Sequence, residues 1–197
     1  MRTTIQFALS LCLAVITASA ACAQTASTEA PRRAELALNY TYIHSNAPPG
    51  GCGCFNLNGG SATFAWPLGR DNWQVVGDVS VATTSSITSA AEGLTLSAYT
   101  VGARYRLRLH TPALHPYGQA LVGLAHSSGS LVQGQNQGAS NAGAAFAANL
   151  GGGLDLRASS RFSVRLFEAD YLVTTFDNGT NNHQNNFRIS AGLVIHF

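Results

Sequence analysis

A chain of 197 residues with only 10% Asp, Glu, Lys or Arg, against about 25% in an average soluble domain, is long enough for one domain but too poor in charge for an ordinary cytosolic enzyme. Its mean hydropathy of +0.09 is only faintly apolar, which suits a sheet with one greasy face and one face of small polar residues. Eleven Arg, no Lys and nine acidic residues leave a formal net charge of +2, too weak a field to gather nucleic acid.

The first stretch carries Arg2, an apolar run from Phe7 to Ala20, and then Ala21-Cys22-Ala23 before Gln24. A charged start, a short apolar core and an Ala-x-Ala site predict an export signal peptide over 1–23, cut after Ala23. Ser19 stands where a lipobox would want Leu, which argues against lipidation of Cys22. Residues 24–33 read as a periplasmic N-terminal extension and 34–197 as the folded domain. No later run is apolar enough to be a spanning helix. With Cys12 and Cys22 in the signal, Cys52 and Cys54 are the remaining thiols.

From residue 34 onward the apolar residues recur with period two, the spacing of half-buried strands. The first strand sets Leu36, Leu38, Tyr40 and Tyr42 against Glu35, Ala37, Asn39 and Thr41. A Gly-rich second strand lies around Leu57 to Trp66. The third sets Trp73, Val75, Gly77, Val79 and Val81 against Gln74, Val76, Asp78, Ser80 and Ala82. In the fourth, Tyr99 to Leu109 alternate with Thr100, Gly102, Arg104, Arg106 and Arg108. A fifth, Gly-rich strand runs from about Pro116 to Ser127. The sixth sets Phe146, Ala148, Leu150, Gly152 and Leu154 against Asn149, Gly151, Gly153 and Asp155. The seventh, Arg161 to Phe176, would carry Glu168 and Asp170 into lipid if its phase continued, so a β-bulge is predicted near Phe167 to return both to the interior. The eighth places Phe187, Ile189, Ala191, Leu193, Ile195 and Phe197 on one face, with Arg188, Ser190, Gly192 and His196 on the other.

Short links follow the second, fourth and sixth strands, and long ones follow the first, third, fifth and seventh. Eight strands with this alternation predict an all-β, antiparallel, up-and-down transmembrane β-barrel, with termini and short turns in the periplasm. Trp66, Trp73, Tyr105 and Phe197 would form an aromatic girdle at that end, and Tyr42 and Phe176 at the other. The inward set reads as too small and too polar for a dry core.

The eight alternating strands, the segment Phe167-Glu168-Ala169-Asp170-Tyr171 and the closing segment Arg188 to Phe197 resemble the Gram-negative outer-membrane β-barrel family that includes the OmpA-type transmembrane domain and small opacity-type porin-like proteins. The resemblance implies location in the outer membrane, contact with its lipid, and recognition of the outward residues Leu193, Ile195 and Phe197 by the barrel-assembly machinery. The sequence shows no peptidoglycan-binding domain after the barrel, so a wall-tethering role is not carried over.

Arg104, Arg106, Arg165 and Arg188 can meet Glu35, Asp78, Asp155, Glu168 and Asp170 inside a barrel narrow enough for side chains to fill it. These nine form a candidate lumen charge network, a structural plug; the alternative is a narrow porin-like channel for ions or small solutes. Arginines opposite Glu168 and Asp170 favour ion pairing over acid–base catalysis. His126 beside Ser127 and Ser128 lacks an acidic residue in the adjoining loop to orient it, so no enzyme is expected. Cys52 and Cys54, in Ala47-Pro48-Pro49-Gly50-Gly51-Cys52-Gly53-Cys54, read as surface-loop thiols on a stiff turn, with no third Cys for a metal site. No cofactor, metal or nucleic-acid partner is expected. The long loops could meet a surface partner, and the barrel is expected to be a monomer.

Overall fold

The computed structural model describes residues 33–45, 55–69, 72–85, 93–129, 142–176 and 183–197. Residues 1–32, which include the expected signal peptide and almost all of the expected extension, lie outside this set, as do Cys52 and Cys54. Eight strands follow one another: β1 (Glu35–Ser45), β2 (Phe55–Pro67), β3 (Trp73–Thr84), β4 (Leu94–Arg106), β5 (Leu114–Gly129), β6 (Ala142–Arg157), β7 (Phe162–Thr174) and β8 (Gln184–His196). Each pairs antiparallel with the next, and β8 pairs back onto β1 from Glu35↔His196 to Ser45↔Asn186, closing an up-and-down barrel. Closure matters because hydrocarbon offers no hydrogen bonds to an open sheet edge. No helix among the described residues is long and apolar enough to cross a membrane.

The register fixes the barrel's width. Stepping across the ladder from Glu35 passes Ala65, Val76, Gly102, Leu121, Asn149, Leu172 and Asn186, and returns to β1 at Ser45, ten residues along. With about 3.4 Å of rise per residue and about 4.8 Å between strands, this offset tilts the strands by roughly 40°. An eight-stranded barrel so tilted is just wide enough for inward side chains to meet in the middle.

Outward rows are the apolar ones. Leu38, Tyr40, Val79, Val101, Leu124, Leu150 and Leu193 are exposed, whereas their neighbours in sequence are buried or half-buried. The aromatic residues of the turn end face outward too: Trp73 lies 5.0 Å from Tyr105 and Phe64 lies 6.2 Å from Trp66, centroid to centroid. The β2–β3 turn is tightened by Gly69, whose φ of 56° favours glycine, and by the Leu68 N–H donating to the Trp73 carbonyl at 2.9 Å.

The bulge falls where the phase of β7 requires it. Arg165 pairs with Gly192 and Asp155, whereas Glu168 pairs with Ser190 and Gly153, so β7 spends two residues, Leu166 and Phe167, where β8 spends one. Both are exposed, and Arg165, Glu168 and Asp170 are all buried. Without the extra residue, two carboxylates would face lipid.

The fourth strand is shorter than its alternation suggests. β4 ends at Arg106, and Leu107, Arg108 and Leu109 lie beyond the ladder. The Leu107 N–H still donates to the Pro116 carbonyl at 2.9 Å, but proline has no N–H to return the bond, and the pairing stops there.

Deleting Phe167 should abolish the phase correction and cost about 3–5 kcal/mol or prevent folding, because unpaired charges are left in or against an apolar medium. Leu166→Ala, which keeps the residue count, should retain the fold. Urea titration and heat-modifiable gel migration of the refolded proteins check both outcomes.

Candidate functional site

The inward row of each strand meets its counterparts across the lumen, and at the turn end these rows carry the charge. Arg106 Nη2 donates to Glu35 Oε2 at 2.5 Å and to Asp155 Oδ2 at 3.2 Å. Asp155 Oδ1 also accepts from Arg165 Nε at 3.0 Å, and Arg165 Nη1 donates to Glu168 Oε2 at 2.8 Å. Arg104 Nη2 approaches the same Glu168 oxygen at 3.6 Å. Higher in the barrel, Arg188 donates to Asp170 Oδ2 through Nε at 3.0 Å and Nη2 at 2.7 Å, and to Asp78 Oδ1 through Nη1 at 2.7 Å. Its Nη2 lies 3.5 Å from Glu168 Oε1. Thus all nine charged residues singled out in the sequence form one connected network, each carboxylate serving at least one guanidinium. Below it, His196 Nδ1 lies 3.4 Å from Glu35 Oε1, and His196 Nε2 bonds Ser163 Oγ at 2.8 Å.

Uncharged residues complete this network, and of these the sequence had placed only Gln74 on the inward face. The hydroxyl of Tyr117 donates to Glu168, and its ring lies 4.0 Å from the Arg104 guanidinium and 5.1 Å from that of Arg165, so one side chain meets three charges by hydrogen bond and by cation–π contact. Gln119 accepts from Arg104 Nε and Nη2 and donates to Asp170 Oδ1 at 3.2 Å. Gln74 accepts from Arg106 Nε at 3.2 Å, and the Thr63 hydroxyl donates to Asp78 at 2.8 Å. Space for the Tyr117 ring comes from Gly153: a Cβ there would lie 2.6 Å from the tyrosine hydroxyl and 2.6 Å from the Phe167 carbonyl oxygen. The run of glycines in β6 therefore makes room for the larger inward residues of β5 and β7.

The loop-side half of the lumen is different, and here the expectation of a uniformly polar interior fails. Ile43, Leu57, Leu96 and Leu172, with Ala82, Ala98, Ala125 and Ala147, pack into a buried apolar layer contributed by β1 to β7. Phe55, Leu94 and Phe176 pack against it. Phe176 is thus not a lipid-facing girdle residue. Beyond the end of β7 it turns toward the lumen, held by its N–H donating to Gln184 Oε1 at 3.0 Å and its carbonyl accepting from Gln184 Nε2 at 2.8 Å.

Leu193 and Phe197 are exposed on the outward face of the turn end, with Ile195 half-buried between them; the Phe197 N–H donates to the Ala34 carbonyl at 2.9 Å. His126 is exposed on the outward row of β5, whereas every described carboxylate side chain belongs to the lumen network. Among the described residues no group of His, Cys, Asp and Glu is placed to hold a metal ion.

Arg188→Met should cost about 3–5 kcal/mol in urea unfolding, since Asp78, Asp170 and Glu168 lose their shared cation in a buried site. Adding Asp170→Asn should restore part of that loss, a coupling of about 1–3 kcal/mol. Equal and additive losses would show that the two side chains do not interact.

Residues 10–197 match the family model for the Outer membrane protein beta-barrel domain. None of the curated proteins matches the chain. Among solved structures, the barrel is similar to the crystal structure of Neisserial surface protein A, at 14% identity and a TM-score of 0.63, over 83% of this chain and 97% of that one. It is similar also to Ail, the attachment invasion locus protein of Yersinia pestis, at 17% identity and a TM-score of 0.55, over 84% of this chain and 100% of that one. A structure of Ail in complex with the heparin analogue sucrose octasulfate aligns at 18% identity and a TM-score of 0.52, over 84% of this chain and 100% of that one. At such identities the shared property is the fold. The family match spans nearly the whole chain, and with the closed eight-stranded barrel it establishes that this protein belongs to the outer-membrane β-barrel domain family.

Proposed function

We propose that this protein is a sealed, non-enzymatic outer-membrane barrel, exported by residues 1–23, that acts as a structural element and presents its long loops to a surface partner. The observation that carries this reading is the double filling of the lumen. An ionic network occupies the turn-side half and an apolar layer from β1 to β7 the loop-side half, with buried Ser45 and Thr174 bonded to buried Asn186 beside it, so an ion would have to break buried salt bridges and then pass a packed apolar layer. A narrow channel is the reading this arrangement opposes.

An esterase-like use of His126 lacks an orienting acid, because the histidine and the described carboxylates lie on opposite faces of the sheet. The four long loops carry Glu92 and Asp177 and no Arg or Lys, so the binding of a sulfated ligand seen with Ail is not carried over. The outward residues Leu193, Ile195 and Phe197 are the surface offered to the assembly machinery, and lipid covers the rest of the outward row of a monomer.

In liposomes carrying the refolded protein, the wild type should be tight to ions and small solutes. Arg104→Ser with Arg106→Ser should remain nearly tight, because the apolar layer is intact; adding Leu57→Ser and Leu172→Ser should produce a leak. Conduction by the wild type would overturn the proposal and turn the inner arginines into selectivity residues.

A further inference from the structure

Pairing between side chains accounts for most of the polar atoms in the lumen, but not for all of them. Among the described residues, six buried side-chain atoms have no hydrogen-bond partner: Asn39 Oδ1, Arg165 Nη2 and Glu168 Oε1, and, on β4 and β6, Thr100 Oγ1 with Asn149 Nδ2 and Oδ1. A buried donor or acceptor left unmet is costly, and more so on a charged group, so such atoms in a folded protein point to something that meets them.

The first three stand around one place in the wall. Gly192 of β8 pairs with Asn39 of β1 on one side and with Arg165 of β7 on the other. A Cβ at Gly192 would lie 2.7 Å from Asn39 Oδ1, so the amide oxygen of Asn39 sits against the glycine. Two residues away on β8, Ser190 pairs with Glu168 and with Thr41. Hydrogen bonds join these residues and Ser61 around the same position. Ser190 Oγ and Thr41 Oγ1 are 3.0 Å apart, and Thr41 Oγ1 donates to Ser61 Oγ at 3.3 Å. Asn39 Nδ2 donates to Ser61 Oγ at 3.1 Å, and Arg165 Nη1 donates to Glu168 Oε2 at 2.8 Å. Asn39, Arg165 and Glu168 are each more than nine-tenths buried. The unmet atoms thus belong to members of one polar ring, and the strand that runs through it contributes no side chain at position 192.

The chemistry of the three atoms selects the occupant. Two accept hydrogen bonds and one donates. Water, with two donors and two lone pairs, meets all three at once, the number of bonds typical of a buried water. A cation would suit the two oxygens but would lie beside the Arg165 guanidinium, and Arg188 Nη2 lies 3.5 Å from Glu168 Oε1, so like charges would oppose it.

We propose that an internal water molecule is bound against Gly192, donating to Asn39 Oδ1 and Glu168 Oε1 and accepting from Arg165 Nη2. It ties β1 to β7 across the closing strand, and its site is complete only when β1, β7 and β8 are paired. The site requires no path through the barrel, so it stands apart from whether the lumen conducts.

The test is a crystal structure of the refolded protein at a resolution that shows ordered water, with a second crystal grown in rubidium chloride. One water should stand at hydrogen-bond distance, about 2.7–3.2 Å, from the three atoms, and the rubidium crystal should give no anomalous peak there. Ser61→Ala removes a bond of the ring but no ligand of the water, and should keep it. Asn39→Leu removes an acceptor and should lose it; if that variant does not fold, the wild-type density decides. Density without a water touching these atoms, a direct bond from Arg165 Nη2 to Asn39 Oδ1, or a rubidium peak at the site would overturn the proposal. So would loss of the water in Ser61→Ala with retention in Asn39→Leu.

Discussion

Everything in this barrel follows from closing a hydrogen-bonded ladder in a medium that offers no hydrogen bonds of its own. An open edge would leave a row of N–H and C=O groups in hydrocarbon, and the β1–β8 pairing from Glu35↔His196 to Ser45↔Asn186 removes that edge. Closure with a ten-residue offset sets a lumen so narrow that inward side chains must fit against one another. Size and charge inside are then coupled: glycine at position 153 faces tyrosine at 117, and four arginines interleave with five carboxylates.

The two layers of the lumen stabilise in different ways. The apolar layer gains from burial and dense packing. The ionic layer gains little net energy over a well-packed apolar core, because desolvating the charges offsets most of their attraction. What the charges supply is register. A slip of one residue in β7 would send Arg165, Glu168 and Asp170 to the lipid face together, and the bulge at Leu166 and Phe167 is the local irregularity that keeps all three inside.

Much of this was legible in the sequence, because period two is a strong signal when one face meets lipid. The eight strands, their inward and outward rows and the bulge could be read from alternation and from the cost of a charge in lipid. Residues whose roles depend on side chains from other strands could not. Tyr117 reads as one more residue of a Gly-rich strand; only the tilt and offset bring it against Arg104, Arg165 and Glu168. The apolar layer was hidden because its members, Ile43, Leu57, Leu96 and Leu172, sit one per strand among small residues and converge only through closure. Phe176 follows the last residue of β7, where alternation no longer dictates which way a side chain points, and the end of β4 depends on a proline in the neighbouring strand.

The position of Arg188 on the last strand bears on the order of assembly. Its partners, Asp78, Asp170 and Glu168, belong to β3 and β7. Until β8 docks, Asp78 and Asp170 lack the guanidinium that pairs with them, and the closing ladder joins segments as far apart in the chain as Glu35 and His196. Such non-local pairing is slow. A chain missing its last strand would have both an open edge and carboxylates without their guanidinium. One segment thus supplies both the hydrogen bonds that close the ladder and the charge that balances Asp78 and Asp170.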